Sequence, residues 1–187
     1  MTARERYAPG PAVGADVRKD GDRWTLVLVR ELRHPATVVW SALTDPDQLR
    51  EWAPFDADRN LATTGRATLS TVGTPTPQVS ETNIIRAIAP RLLEYNWGRN
   101  DMRWELEQMD SGTRITLWHS IGRPYIAMGA AGWHICFDVL EHLLAGDPLG
   151  RIVGPDAMKF GWPRLNEEYA DQFDVEPAPY HHTRKHQ

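Results

Sequence analysis

The strongest constraint on the fold is a change of hydrophobic period near residue 120. From Pro54 to Ser120, short apolar or β-branched runs alternate with turn residues at a spacing of about ten residues, which is typical of an antiparallel meander. The predicted strands cover residues 57–62, 66–72, 79–88, 91–97, 102–109 and 113–120. From Pro124 to Ala145 the apolar positions recur instead with the period of an amphipathic helix. The sequence therefore predicts a sheet followed by one long helix.

The flanking segments complete this architecture. Residues 24–32 are β-branched and apolar and predict a buried strand, and Pro35 and Asp45 mark the starts of two short helices. Residues 155–173 carry a second amphipathic pattern, for which we expect a last helix or helix pair. The order predicts an α+β helix-grip fold, in which a curved antiparallel sheet of about seven strands wraps around the long C-terminal helix.

We divide the 187 residues into four segments. Residues 1–21 predict a flexible N-terminal leader, with a wrapping arm as the alternative, because they are rich in proline and glycine and lack apolar periodicity. Residues 22–146 form the predicted domain, and residues 147–175 a helical extension packed on it. Residues 176–187 are polar and His-rich and predict a disordered tail. A dimer contact through the apolar face of the extension is the alternative to packing within one chain.

Composition and motifs exclude several classes of function. The net charge is −4 and the basic residues are scattered, so the sequence shows no basic patch of the kind that binds nucleic acid. The longest apolar stretch is too short to span a membrane. The single cysteine, Cys136, predicts a reducing, cytoplasmic location and a buried, inert thiol. The sequence has no phosphate-binding loop, serine nucleophile elbow, Glu-His metal signature or dinucleotide glycine fingerprint. We therefore expect no cofactor.

Four stretches carry a resemblance to a known family. They are HPATVVWSALTDP at residues 34–46 with LREW at 49–52, LLEYNW at 92–97, TRITLWHS at 113–120 and GWHICFDVL at 132–140. In this order they resemble the START-like SRPBCC superfamily, within its Hsp90-ATPase-activator-like branch. The resemblance covers about residues 23–145 and implies the helix-grip fold of the birch pollen allergen, polyketide cyclases and lipid-transfer domains. Because that scaffold hosts carriers, enzymes and chaperone regulators, it leaves the function open. Residues 150–165 resemble an appendage of many bacterial members.

The period-two alternation of the strands predicts which side chains face the long helix. Three inward sets follow: Leu93, Tyr95 and Trp97; Met102, Trp104 and Leu106; Ile115, Leu117 and His119. Together with the helix they would enclose a cavity, and a fully packed core is the alternative. The candidate ligand-binding residues are Leu93, Tyr95, Trp97, Trp104, Leu117, His119, Tyr125, Met128, Trp133 and Phe137.

Among the polar residues, His119 is the leading candidate to donate to a ligand oxygen or to act as a general base, with Tyr95 as a second candidate. The alternative is a buried His119 satisfied by a backbone carbonyl or by the Tyr95 hydroxyl. His134, Asp138 and His142 recur every four residues, which superficially resembles a metal site. We expect these three on a solvated flank of the helix and predict no metal.

Three functions remain. The first is binding or sequestration of a hydrophobic small molecule, which needs no catalytic group. The second is an enzyme of polyketide cyclase, hydrolase or lyase type that uses His119 and a tyrosine, but Glu81, Arg103 and Glu105 fall on the solvent face by parity. The third, regulation of an Hsp90-type chaperone, is ranked last, because the eukaryotic activators resemble this chain in only one of their two domains. We expect a small-molecule partner, no nucleic acid and no membrane, and leave a homodimer open.

Overall fold

The computed structural model describes residues 1–179 and contains nine strands in two antiparallel sheets. The strands are β1 (Ala15–Asp20), β2 (Arg23–Leu32), β3 (Phe55–Ala57), β4 (Gly65–Thr71), β5 (Gln78–Ile84), β6 (Arg86–Ile88), β7 (Leu92–Trp97), β8 (Asn100–Met109) and β9 (Gly112–Ser120). The larger sheet has the order β1-β2-β9-β8-β7-β6, and the smaller has the order β3-β4-β5.

The helices lie before, between and after these strands. They are α1 (Ala3–Arg6), α2 (Ala36–Thr44), α3 (Pro46–Trp52), α4 (Ile126–Leu144), α5 (Pro155–Met158) and α6 (Trp162–Phe173). The break between α2 and α3 falls at Asp45, whose side chain accepts a hydrogen bond from the Asp47 amide, and Pro46 begins α3. The predicted helix pair and long helix are therefore confirmed.

The core lies between the large sheet and α4. Alternate residues of β9 are buried, and Leu117 lies opposite Leu28 of β2 and Trp104 of β8. Trp104 contacts Trp133 and Phe137 of α4, with ring centroids 5.5 and 6.1 Å apart. The predicted fold class, an antiparallel sheet with a long C-terminal helix, is confirmed.

Two strand predictions differ from the structure. The strand expected at 57–62 is short and ends at Ala57, because the next residues form a loop around Arg59, whose guanidinium donates to the carbonyls of Asn60, Thr63 and Arg66. The strand expected at 79–88 is divided at the exposed residue Ile85, where the chain passes from the small sheet to the large one.

The N-terminal segment is not a leader detached from the domain. Its residues 15–20 form β1, which pairs with β2 along its whole length. Farther upstream, Arg4 Nη1 donates to the carbonyls of Leu149, Gly150 and Arg151. The strand escaped prediction because it is a mostly exposed edge strand and therefore lacks an apolar alternation.

The C-terminal extension packs on the domain within the same chain. Leu165 and Tyr169 of α6 are fully buried, and the Asn166 side chain hydrogen-bonds to the backbone of Ala178. Residues 180–187 of the predicted tail lie outside the described residues. Within the described part of the chain, no helix has the length and hydrophobicity needed to cross a bilayer.

Candidate ligand-binding cavity

A cavity of about 1540 Å³ lies between the start of α4, the near ends of both sheets and the C-terminal extension. Its lining residues come from the stretches 71–80, 97–100, 119–136 and 152–163, together with Pro54. The volume lies above the usual range for small-molecule pockets. The space between the sheet and the helix is therefore open at this end.

The structure separates the ten candidate ligand-binding residues into two groups. Five of them line the cavity: Trp97, His119, Tyr125, Met128 and Trp133. The other five are buried in the core and do not line it: Leu93, Tyr95, Trp104, Leu117 and Phe137. The two groups meet where Trp104 packs against Trp133, with ring centroids 5.5 Å apart, and Trp52 of α3 packs against both rings. The region between the large sheet and α4 is therefore packed at one end and open at the other.

Two tryptophans give the cavity an aromatic wall. The Trp97 Nε1 donates to Thr71 Oγ1 at 2.8 Å, and the Trp133 Nε1 donates to His119 Nδ1 at 3.0 Å. Their rings are 6.0 Å apart and nearly perpendicular. Because both indole donors are satisfied within the protein, the rings offer apolar surface to a ligand.

His119 is buried at the cavity wall, with 3% of its surface exposed. Since Nδ1 accepts from Trp133, the neutral ring carries its proton on Nε2, which has no hydrogen-bond partner among the described residues. Burial lowers the pKa of His119 to about 3. The ring is therefore a neutral donor at pH 7. The alternative in which a backbone carbonyl or the Tyr95 hydroxyl satisfies His119 is not observed, because Nδ1 pairs with Trp133, Nε2 has no partner among the described residues and the Tyr95 hydroxyl pairs with Trp104 Nε1.

Ser80 supplies a second polar atom of this kind. Ser80 lines the cavity from β5, and its Oγ is buried without a hydrogen-bond partner in residues 1–179. Buried polar groups normally have partners. Ser80 Oγ and His119 Nε2 are therefore two buried polar atoms of lining residues that have no hydrogen-bond partner in the described structure.

Within residues 1–179, no second ionisable side chain contacts His119 to form the acid–base pair that the enzyme hypothesis requires. The described contacts of His119 are with Trp97, which stacks on it, and with Trp133. Glu81, Arg103 and Glu105 lie outside the cavity lining. Cys136 lines the cavity, but burial raises the pKa of its thiol to about 12, so the thiol stays neutral at pH 7.

The prediction of a solvated flank for His134 and Asp138 is wrong. His134 is buried, and its Nδ1 lies 2.6 Å from the Tyr169 hydroxyl of α6. Asp138 accepts hydrogen bonds from the Tyr7 hydroxyl and from Arg30. The flank is covered by the N-terminal segment and by α6, which helical periodicity alone does not reveal. In residues 1–179, no group of His, Cys, Asp and Glu side chains is arranged to hold a metal ion.

A family model described as Activator of Hsp90 ATPase homolog 1-like protein matches residues 33–145. The chain belongs to this family. The resemblance predicted from the sequence is thus confirmed. The family match ends at the C-terminus of α4, whereas one wall of the cavity is built by residues 152–163. The extension therefore lies outside the family domain and still shapes its cavity.

Solved structures share this fold. They include a conserved protein of unknown function from Enterococcus faecalis, with TM-score 0.68, 16% identity and coverage of 87% of this chain and 91% of that chain. CalU16 from Micromonospora echinospora has TM-score 0.59, 21% identity and coverage of 88% and 98%. The protein encoded by gene BPP1335 from Bordetella parapertussis has TM-score 0.58, 20% identity and coverage of 94% and 100%. A search of curated proteins gave no match.

The extension is held against the small sheet by a backbone contact between two glycines. A Cβ atom on Gly154 would lie 2.1 Å from the Gly73 carbonyl oxygen, and both residues have positive φ. Only glycine permits this approach without strain. The β4–β5 connection and the extension therefore meet at the cavity wall.

Gly132 is a cavity residue that sequence reasoning missed. By sequence alone, the run Gly129-Ala130-Ala131-Gly132 is typical of close helix packing. This holds for Gly129, where a Cβ would lie 2.5 Å from Ile121 Cδ1. At Gly132, a Cβ would meet no atom within 4 Å. The only sequence signal for this cavity position is the glycine itself. Glycine is unfavourable in a helix interior, so its presence indicates that the protein uses the space a side chain would fill.

Replacing His119 with asparagine is expected to reduce the acid dependence of stability. Between its ordinary pKa of 6.5 and its folded value of about 3, His119 binds a proton in the unfolded state only. Stability therefore falls as the pH drops below 6.5, by up to about 1.4 kcal/mol per pH unit. Urea unfolding at several pH values between 7 and 4 gives the free energy of unfolding at each pH. The slope of this free energy against pH should be smaller for the variant, by the equivalent of about one proton. Equal slopes in the two proteins would contradict this assignment.

Proposed function

We propose that the protein binds and sequesters a hydrophobic small molecule in the cavity between α4, the two sheets and the extension. One observation carries the proposal: the cavity is large, and most of its lining residues are apolar or aromatic. Ligand sites are typically apolar concavities with a few polar groups that fix orientation. Membership in a family with a helix-grip fold supports this function.

The polar atoms of the wall restrict the ligand further. Trp97 and Trp133 favour a ligand with flat or aliphatic apolar surface. The His119 Nε2–H group is buried and unsatisfied in the described structure, so a small movement of the lining on binding would let it donate to a ligand that carries a hydrogen-bond acceptor. Ser80 Oγ is able to donate to or accept from the same molecule.

Exposed apolar side chains mark a route into the cavity. Val79, Tyr125 and Met128 all line it and are all exposed at the surface. They come from β5, an edge strand of the small sheet, and from the start of the long helix with its preceding turn. A ligand entering between these elements would reach the aromatic wall without crossing a charged layer.

Fluorescence titration with N-phenyl-1-naphthylamine, a neutral apolar probe, tests the proposal. We expect saturable binding of one probe per chain, with energy transfer from tryptophan, because Trp97 and Trp133 line the site. Native mass spectrometry of protein purified from its own cells should also show an apolar adduct. Probe fluorescence that rises linearly without saturation, in a protein shown to be folded, would contradict the proposed function.

A further inference from the structure

We infer that the ligand is an amphipathic anion, with an apolar body inside the cavity and one acidic group beside Arg99 and Lys159. The inference rests on the proposed function and names its ligand class. It is drawn from the distribution of charge around the cavity.

The charged side chains in the described cavity lining are all positive. The whole chain is acidic, with 25 Asp and Glu residues against 21 Lys and Arg residues. Among the described residues, however, the lining includes Arg99 and Lys159 and no Asp or Glu. The charged side chains of the described lining are therefore all positive in a protein whose net charge is negative, which favours an anion over a cation.

Arg99 lies in the tight connection between β7 and β8. The flanking residues Trp97 and Asn100 pair with each other and also line the cavity, so the connection holds Arg99 at the rim. Arg99 is exposed, and within residues 1–179 its guanidinium forms no ion pair with a carboxylate. A planar guanidinium is suited to binding an acidic group.

Lys159 contributes the second positive charge from the extension. Its Nζ lies 3.7 Å from Asp156 Oδ1, and both side chains are well exposed. Asp156 also pairs with Arg4, with an Nη2–Oδ2 distance of 3.3 Å. One carboxylate is thus shared by two cations, and the group keeps a net positive charge. The exposed pair with Asp156 is weak and leaves Lys159 able to contact a ligand anion.

The interior of the cavity determines the orientation. His119 and Ser80 offer neutral polar atoms there, and the described lining has its formal charges at exposed positions. Burying an uncompensated charge against Trp97 and Trp133 would be costly. The acidic group therefore stays at the rim, and the apolar part of the ligand fills the interior.

Displacement of N-phenyl-1-naphthylamine by three ligands of equal chain length tests this inference. The ligands are decanoate, decanol and decylamine at neutral pH, which differ in the charge of the head group. We expect decanoate to displace the probe at concentrations about three- to tenfold lower than decanol, with decylamine the weakest. The advantage of decanoate should decrease as salt is added.

The variant Arg99→Gln should remove most of the advantage of decanoate and leave displacement by decanol unchanged. Arg66→Gln is the matched control, because Arg66 is an exposed arginine of β4 that does not line the cavity. It should leave all three ligands unaffected.

The outcomes separate this inference from the function on which it rests. Equal displacement by decanoate and decanol in the unmodified protein would overturn the anionic ligand class, and so would equal losses for both ligands in Arg99→Gln. Saturable binding of the neutral probe would still support the proposed function in either case. Absence of probe binding would overturn the function and this inference with it.

Discussion

Replacing Gly132 with tryptophan is expected to weaken binding of N-phenyl-1-naphthylamine by about tenfold or more while the protein remains folded. A Cβ at this position points into empty space, with no atom within 4 Å, and Gly132 lines the cavity beside Trp133. The new indole would therefore occupy volume that the probe needs. Because glycine is unfavourable in a helix interior, the substitution should not lower helix stability.

The variant Gly132→Ala is the matched control for this experiment. It gains the same backbone preference but adds only one methyl group to a large cavity. Thermal unfolding should show stabilisation by about 0.5–1 kcal/mol, and affinity for the probe should stay within about twofold of the unmodified protein. If Gly132→Trp is folded and binds the probe as tightly as Gly132→Ala, the ligand does not occupy this cavity.

Local sequence patterns predicted the elements and their inward faces. The alternation in residues 113–120 places Ile115, Leu117 and His119 on one face, and all three are buried. What alternation does not give is the position along the strand at which packing ends. Leu117 is buried in the packed part of the region between the large sheet and α4, whereas His119 lines the cavity. Trp52 from a separate helix packs against Trp104 and Trp133 where the two parts meet, and the alternation of β9 does not reveal this contact.

The parts of the site that the sequence did not reveal depend on contacts between distant segments. The extension wall around Met158 and Trp162 is placed by α6 packing on α4, and no local pattern specifies that packing. The same is true of His134, which would be solvated on an isolated helix and is buried here by Tyr169. Helical periodicity gives the direction of a side chain and not the identity of the segment that covers it.

Replacing Asp138 with alanine is expected to destabilise the protein by about 3 kcal/mol. Asp138 and Arg30 form an ion pair at 2.5 Å, and their side chains are only 16% and 17% exposed. Burial and the Asp138 charge raise the pKa of Tyr7, so its hydroxyl stays protonated and donates to Oδ2 at 2.5 Å. The alanine variant leaves a poorly solvated Arg30 with the more distant Glu141 as its remaining carboxylate partner. Urea unfolding at neutral pH measures the loss.

Two variants separate the charge of Asp138 from its hydrogen bonds. Asp138→Asn keeps an oxygen that accepts from Arg30 or Tyr7 but removes the charge, so its loss should fall between zero and that of alanine. Tyr7→Phe removes one hydrogen bond and leaves the ion pair, so its loss should be about 1 kcal/mol. A loss below about 1 kcal/mol for Asp138→Ala would contradict the inferred role of this cluster, because such a value is typical of an exposed pair. Since Tyr7 is the member of the cluster that precedes β1, the expected loss for Tyr7→Phe would show that residues before β1 stabilise the domain.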